Sequence, residues 1–140
     1  MKKLIIAALG LSLFLVGQGY SSEVKAIEKV IHGFSRAGDA NDAVALEQYL
    51  DKNYRVVMNR LFGSKDVAVL SRLVYLDKIK SKEFGGDKRE LTIKNIVVNG
   101  TTASAQVIFK GSKITFISLL TLLKDEKGVW KLVGDVPIVK

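Results

Sequence analysis

Apolar residues change their spacing along this chain, and each change marks a new element. From Glu23 to Ala37 they fall three or four apart (Val24, Ile27, Val30, Ile31, Phe34, Ala37), which gathers them on one face of an amphipathic helix. Gly38 can take the left-handed conformation that ends a helix, and Asp39 or Asn41 can cap a short second helix over Ala43–Tyr49. From Asn53 the period drops to two. Tyr54–Arg60 reads as a strand, Phe62–Asp66 as a turn and Val67–Leu70 as a second short strand. Ser71 is a natural N-cap for a third helix, Arg72–Lys82, which Gly85-Gly86 stops. Four strands follow: Lys88–Val98, Thr101–Lys110, Ile114–Lys124 and Val129–Val136. Asn99-Gly100 is the hairpin signal between the first two, and Pro137 ends the hydrogen bonding of the last.

Helices that gather on one side of an antiparallel sheet predict an α+β domain, with the curled sheet wrapped cone-fashion around the N-terminal helices. The strand Ile114–Lys124 adds an expectation. Ile114, Phe116, Leu120 and Leu122 share one face and Ile117, Leu119 and Leu123 the other, so both faces call for cover. One helical layer covers only one. The outer face is expected to form a homodimer contact, or else to be buried by the chain's own termini and loops.

The first residues follow a different pattern. Lys2 and Lys3 precede an apolar run, Leu4–Val16, and then the small residues Gly17, Gly19, Ser21 and Ser22. This is the layout of a secretory signal peptide over residues 1–21, cleaved within 19–22. Its 13 apolar-run residues fall short of the roughly 20 that span a bilayer, which argues against a retained anchor. Residues 22–140 form one domain, exported to the periplasm or the medium.

The chain of 140 residues carries 22 Lys and Arg against 14 Asp and Glu. The excess is scattered among acidic residues rather than gathered in a stripe, which describes a solvated surface and no nucleic-acid partner. With no Cys and one His, the sequence lacks a disulfide framework, thiolate ligands and the multi-His zinc sites. No metal and no cofactor is expected.

The layout resembles the nuclear transport factor 2-like superfamily, in particular its bacterial branch described as putative lumazine-binding. The likeness runs through residues 23–140 and is carried by Tyr54-Arg55-Val56-Val57-Met58-Asn59 with Gly63-Ser64-Lys65, and by Glu83-Phe84-Gly85-Gly86-Asp87. Asn99-Gly100-Thr101-Thr102-Ala103-Ser104-Ala105 and Gly128-Val129-Trp130-Lys131-Leu132 extend it. The resemblance implies a pocket between a bent sheet and its helices, and often a dimer through the sheet's outer face. The superfamily holds isomerases, dehydratases and cyclases beside non-catalytic binding domains, so the fold leaves function open.

Its enzymes usually place an Asp, His or Tyr deep in the cone. His32 lies opposite the apolar stripe between Glu28 and Arg36, the address of a solvated side chain. Asp77 is a base candidate if Leu73 and Val74 face inward, and exposed if Tyr75, Leu76 and Ile79 do. Asp135, near the chain's end, reads as an edge or turn residue. Tyr54 and Tyr75 can point phenols into a pocket, and Arg55 and Asn59 can grip an anionic ligand or form the wet side of their strand. No matched acid–base pair emerges. The leading expectation is therefore an exported, non-catalytic domain binding a small ligand or a partner. One rival is a small-molecule isomerase, dehydratase or cyclase using Asp77 or a Tyr. Another is a structural envelope module whose cone is filled by Phe109, Phe116 and Trp130.

Overall fold

The structure, a computed structural model, describes residues 2–140, with side chains from residue 19 onward. The leader read over residues 1–21 therefore lies, apart from Gly19, Tyr20 and Ser21, outside the described side chains. Among the described residues no helix is long and apolar enough to cross a membrane.

Helix α1 (Lys2–Asp39) leads to α2 (Ala43–Glu47), β1 (Leu50–Asn59), a 3-10 turn (Leu61–Gly63), β2 (Val67–Ser71) and α3 (Arg72–Lys80). The meander β3 (Glu90–Asn99), β4 (Thr102–Lys110), β5 (Thr115–Lys124) and β6 (Trp130–Val139) completes the chain. The six strands form one curled sheet in the order β2-β1-β6-β5-β4-β3. It is antiparallel except at one seam: β1 lies parallel to β6, because α3 carries the chain across from the first hairpin to the far edge. That seam puts β6 in the middle of the sheet. Pro137 does not end it, and the strand runs on to Val139 opposite Phe116.

The predicted stripe of α1 packs on the sheet. Ile27, Ile31, Phe34 and Ala37 are buried against Leu46, Leu50, Tyr54, Val107, Phe109, Leu120, Leu122 and Leu132. Each such aliphatic or aromatic side chain contributes about 1.5–3 kcal/mol on burial. Near the start of this packed stretch, Glu23 accepts hydrogen bonds from the Trp130 indole and the Lys124 ammonium. Trp130 thus braces one end of the cone.

Three local expectations are corrected. Gly38 stays helical, and Asn41 takes the left-handed turn instead (φ 53°), as Asn tolerates. Asp42, not Asp39 or Asn41, caps α2 by accepting from the Ala45 N–H at 3.0 Å. Asn99 pairs with Thr102, so the hairpin loop is Gly100-Thr101 with Gly100 at φ 64°. Ser71 caps α3 as its sequence position predicts.

One irregularity controls what the sheet presents to the interior. Between β5 and β6 the register passes from Thr121–Gly134 to Leu122–Leu132, leaving Val133 as the extra residue of a β-bulge. Side chains alternate along a strand, so one extra residue reverses the faces beyond it. Trp130 and Leu132 point inward before the bulge, and Asp135 and Pro137 point inward after it. Backbone and side chain approach closely here: a Cβ on Gly134 would lie 2.6 Å from Thr121 Oγ1. Gly134→Val is expected to cost about 1–3 kcal/mol in urea unfolding through overpacking, and Thr121→Ala in the same chain to recover part of it. Full stability in the single variant would show that the bulge needs no such close approach.

Candidate functional site

Beyond Phe34 the helix no longer fills the concave sheet, and a cavity of about 550 Å³ remains. Its floor is the inner face of β5, β6 and β1, with Ser118, Asp135, Pro137, Val56 and Met58. Its walls carry Phe34, Tyr75, Phe84, Phe109 and Phe116, and Glu83, Asp87 and Lys113 stand at the mouth. The rings meet in tilted, stacked and edge-on pairs, with centroids 5.4 Å apart for Tyr54–Tyr75 and 6.2 Å apart for both Phe34–Phe109 and Tyr75–Phe84.

Asp135 is the unusual member. It is 8% exposed, and its Oδ1 has no hydrogen-bond partner. Burial disfavours the charged form and pushes the carboxyl up to about 7, against the smaller opposing pull of the Ser118 hydroxyl and the Arg89 guanidinium. Tyr54 is fully buried with an unpartnered hydroxyl, and burial raises its phenol well above the usual range. Tyr75 is raised the same way, chiefly by burial and further by the charge of Asp135. A carboxyl poised near neutrality thus sits among two phenols that stay protonated at neutral pH.

Arg89 is held from three sides. Its Nε donates to Asp39 Oδ1 at 2.6 Å, its backbone N–H donates to Asp39 Oδ2 at 3.1 Å, and its guanidinium lies 4.6 Å from the centroid of the Phe109 ring. The segment Glu83–Asp87, which builds part of the mouth, is fastened at both ends. Asn41 Nδ2 donates to the carbonyls of Ile79 and Phe84, and Asp87 Oδ2 accepts from the Ser112 N–H at 2.7 Å. Gly85 sits at φ 76°, and a Cβ there would meet the Gly38 carbonyl oxygen at 2.3 Å, so only glycine lets loop and helix touch.

Of the residues singled out from the sequence, the fold brings Tyr75 to the cavity wall and buries Tyr54 behind it, ring against ring. Arg55 and Asn59 are exposed on the other face of β1, Arg55 donating to the Tyr54 carbonyl. The Tyr75, Leu76 and Ile79 side of α3 packs inward, which leaves Asp77 exposed and outside the cavity. His32 is exposed on α1. Phe109 and Phe116 line the cavity without filling it, and Trp130 lies elsewhere, at its bond to Glu23. The edge or turn role read for Asp135 is wrong, since β6 is flanked by β1 and β5 and the bulge turns its carboxyl inward. Arg89 and Ser118 gave no sequence signal beyond their place in a β-rich run.

Comparison with known proteins matches this architecture. The family model described as putative lumazine-binding covers residues 22–136. The chain belongs to this family. Solved nuclear transport factor 2-like proteins of unknown function share its fold: one from Silicibacter pomeroyi (TM-score 0.76, 21% identity, 86% of this chain and 98% of that one) and one from Shewanella baltica (0.75, 21%, 86% and 96%). A ketosteroid isomerase-like protein from Erwinia carotovora superposes at TM-score 0.66 with 16% identity, over 82% of this chain and 94% of that one. At these identities the likeness shows the fold alone. No curated protein matches in sequence.

The cavity of this lumazine-binding-family domain is built at a cost in stability. The folded chain keeps the Asp135 proton up to about pH 7, whereas the unfolded chain releases it near 3.8. The folded state therefore binds more protons between these values, and stability falls as pH rises from about 4 to 7. Asp135→Asn is expected to flatten this slope and to stabilise the domain at pH 8 by on the order of 2–4 kcal/mol, read by urea unfolding across pH. An unchanged slope would mean that Asp135 titrates normally.

Proposed function

We propose that the domain takes a small, largely apolar molecule into its cone and moves a proton on it through Asp135, an isomerase-type reaction. The observation that carries this reading is the buried Asp135 carboxyl, one oxygen of it without a hydrogen-bond partner, on the floor of an aromatic-walled cavity. It runs against the non-catalytic reading of the sequence, which rested on finding no proton-transfer group in the cone. With its pKa about 7, the group is present both as base and as acid at neutral pH, the condition under which one carboxyl can take a proton and return it. A proton removed from the carbon beside a substrate carbonyl leaves negative charge on that oxygen. The neutral phenol of Tyr75 supplies a donor for it, and returning the proton to a different carbon completes the shift of the double bond.

The rival reading is non-catalytic binding. The Phe-lined walls favour it, and among the described residues the carboxyls of Glu83 and Asp87 stand at the mouth rather than beside Asp135 on the floor. A β,γ-unsaturated cyclic ketone as substrate probe and 2-naphthol as binding probe separate the two. Catalysis predicts formation of the conjugated ketone, seen by ultraviolet absorbance. Asp135→Asn should then slow it by about 10²–10⁴-fold while still binding 2-naphthol. Naphthol binding with no turnover of the ketone would favour the binding protein.

Export and self-association extend the proposal. An apolar band crosses the sheet's outer face, formed by Val69, Val57, Val136, Leu119, Ile138 and Ile117. Leu119 is 58% exposed and Ile138 53%. A second copy of the chain is the proposed cover, with both leaders removed during export. Native mass spectrometry of protein from its own host should then give twice the mass of a chain beginning between residues 20 and 23, and Leu119→Lys should give half that mass. A pure uncleaved monomer would overturn both parts.

A further inference from the structure

The turn joining β1 to β2 does something that a simple hairpin does not. Arg60 and Phe62 both adopt left-handed backbone conformations (φ 54° and 55°), and Gly63 follows at φ 81°. Glycine takes such angles freely, but a Cβ makes them unfavourable, and for a bulky Phe they are rare. The consequence is geometric. The turn folds back over the inner face of the sheet, and the Phe62 ring reaches Phe116 edge-on at 6.4 Å between centroids. Phe116 belongs to β5, two strands from β1 with β6 between them. At a strand spacing of about 4.8 Å the reach is nearly 10 Å across the cavity's floor.

Phe62 arrives there without being buried. It is 69% exposed, the most exposed of the apolar side chains that line the cavity, while the other lining phenylalanines are buried or half-buried. A strained turn that holds an aromatic ring in water over an apolar cavity gains nothing from the empty site. It gains apolar contact when something fills the space beneath the ring. The turn's hydrogen bonds stay within it, from the Arg60 N–H to the Asp66 carbonyl, from the Ser64 N–H to the Leu61 carbonyl and between the Ser64 hydroxyl and Asp66, so the ring can settle without disturbing the sheet.

We infer that Phe62 is a lid residue: it lies down on the bound molecule and sets how long that molecule stays. The inference rests on the cavity being the ligand site. Stopped-flow fluorescence with 2-naphthol as the probe tests it. Phe62→Ala is expected to raise the dissociation rate by about tenfold while leaving association within about twofold, the pattern of a lost contact made after entry. Phe62→Leu should keep a dissociation rate near that of the unaltered chain. Because Phe62 is mostly exposed, both variants should unfold at the same urea concentration as the parent. Equal dissociation rates in Phe62→Ala and the parent would overturn the lid while leaving the cavity's role intact. Absence of any naphthol signal from the parent chain would overturn the ligand site, and the lid with it.

Discussion

The apolar stripe of α1 has to be covered, and a curled sheet is what covers it. Ile27 and Ile31 leave no exposed surface at all, and Leu46, Leu50, Leu120, Leu122 and Leu132 close around them. A helix is a cylinder and the sheet's concavity widens like a cone, so the two match at one end only. At the Trp130 end they meet, and Glu23 draws indole and ammonium together there. Past Phe34 the helix stops filling the space, and the remainder is the cavity. The site is thus a geometric residue of core packing, and its floor of regular strand inherits the rigidity of the core.

Into that dry remainder the β-bulge at Val133 turns a carboxyl. Few arrangements would leave a group like Asp135 without a partner on one oxygen, since desolvation of a charge is compensated only by hydrogen bonds or an opposite charge. The cation whose charge acts on it, Arg89, already has Asp39 as its partner. The balance of burial against the Ser118 hydroxyl and the Arg89 charge sets the carboxyl near neutrality. Stability is lower for it, because the carboxyl is desolvated without a full set of compensating partners.

The mouth is organised on a different principle from the floor. The floor is regular strand, held by ladder hydrogen bonds, while the mouth is loop. The Glu83–Asp87 segment is pinned by Asn41 and Ser112, and the β1–β2 turn is strained and, among the described residues, hydrogen-bonded only within itself. One side of the entrance is therefore fixed and the other can yield. A cavity of this kind can admit a molecule without loosening its own floor.

Periodicity alone established the order of elements, the inward stripe of α1, the Ser71 cap and the two-sided apolar strand, because these depend on neighbours a few residues apart. It also marked Tyr54 and Tyr75, since an aromatic at an inward strand or helix position has few places to go. What only the tertiary structure decided was the placement of Asp135 inside the cavity and of Arg55, Asn59 and Asp77 outside it. The parallel pairing of β1 with β6 joins residues some 80 positions apart, and no local pattern encodes it. The bulge that reverses the face of β6 depends on how Val133 fits between two neighbouring strands, and alternation read along one strand assigns its far half to the wrong side. Desolvation, finally, belongs to a volume enclosed by distant segments, so a carboxyl's proton affinity is set by atoms that its sequence neighbours do not contain.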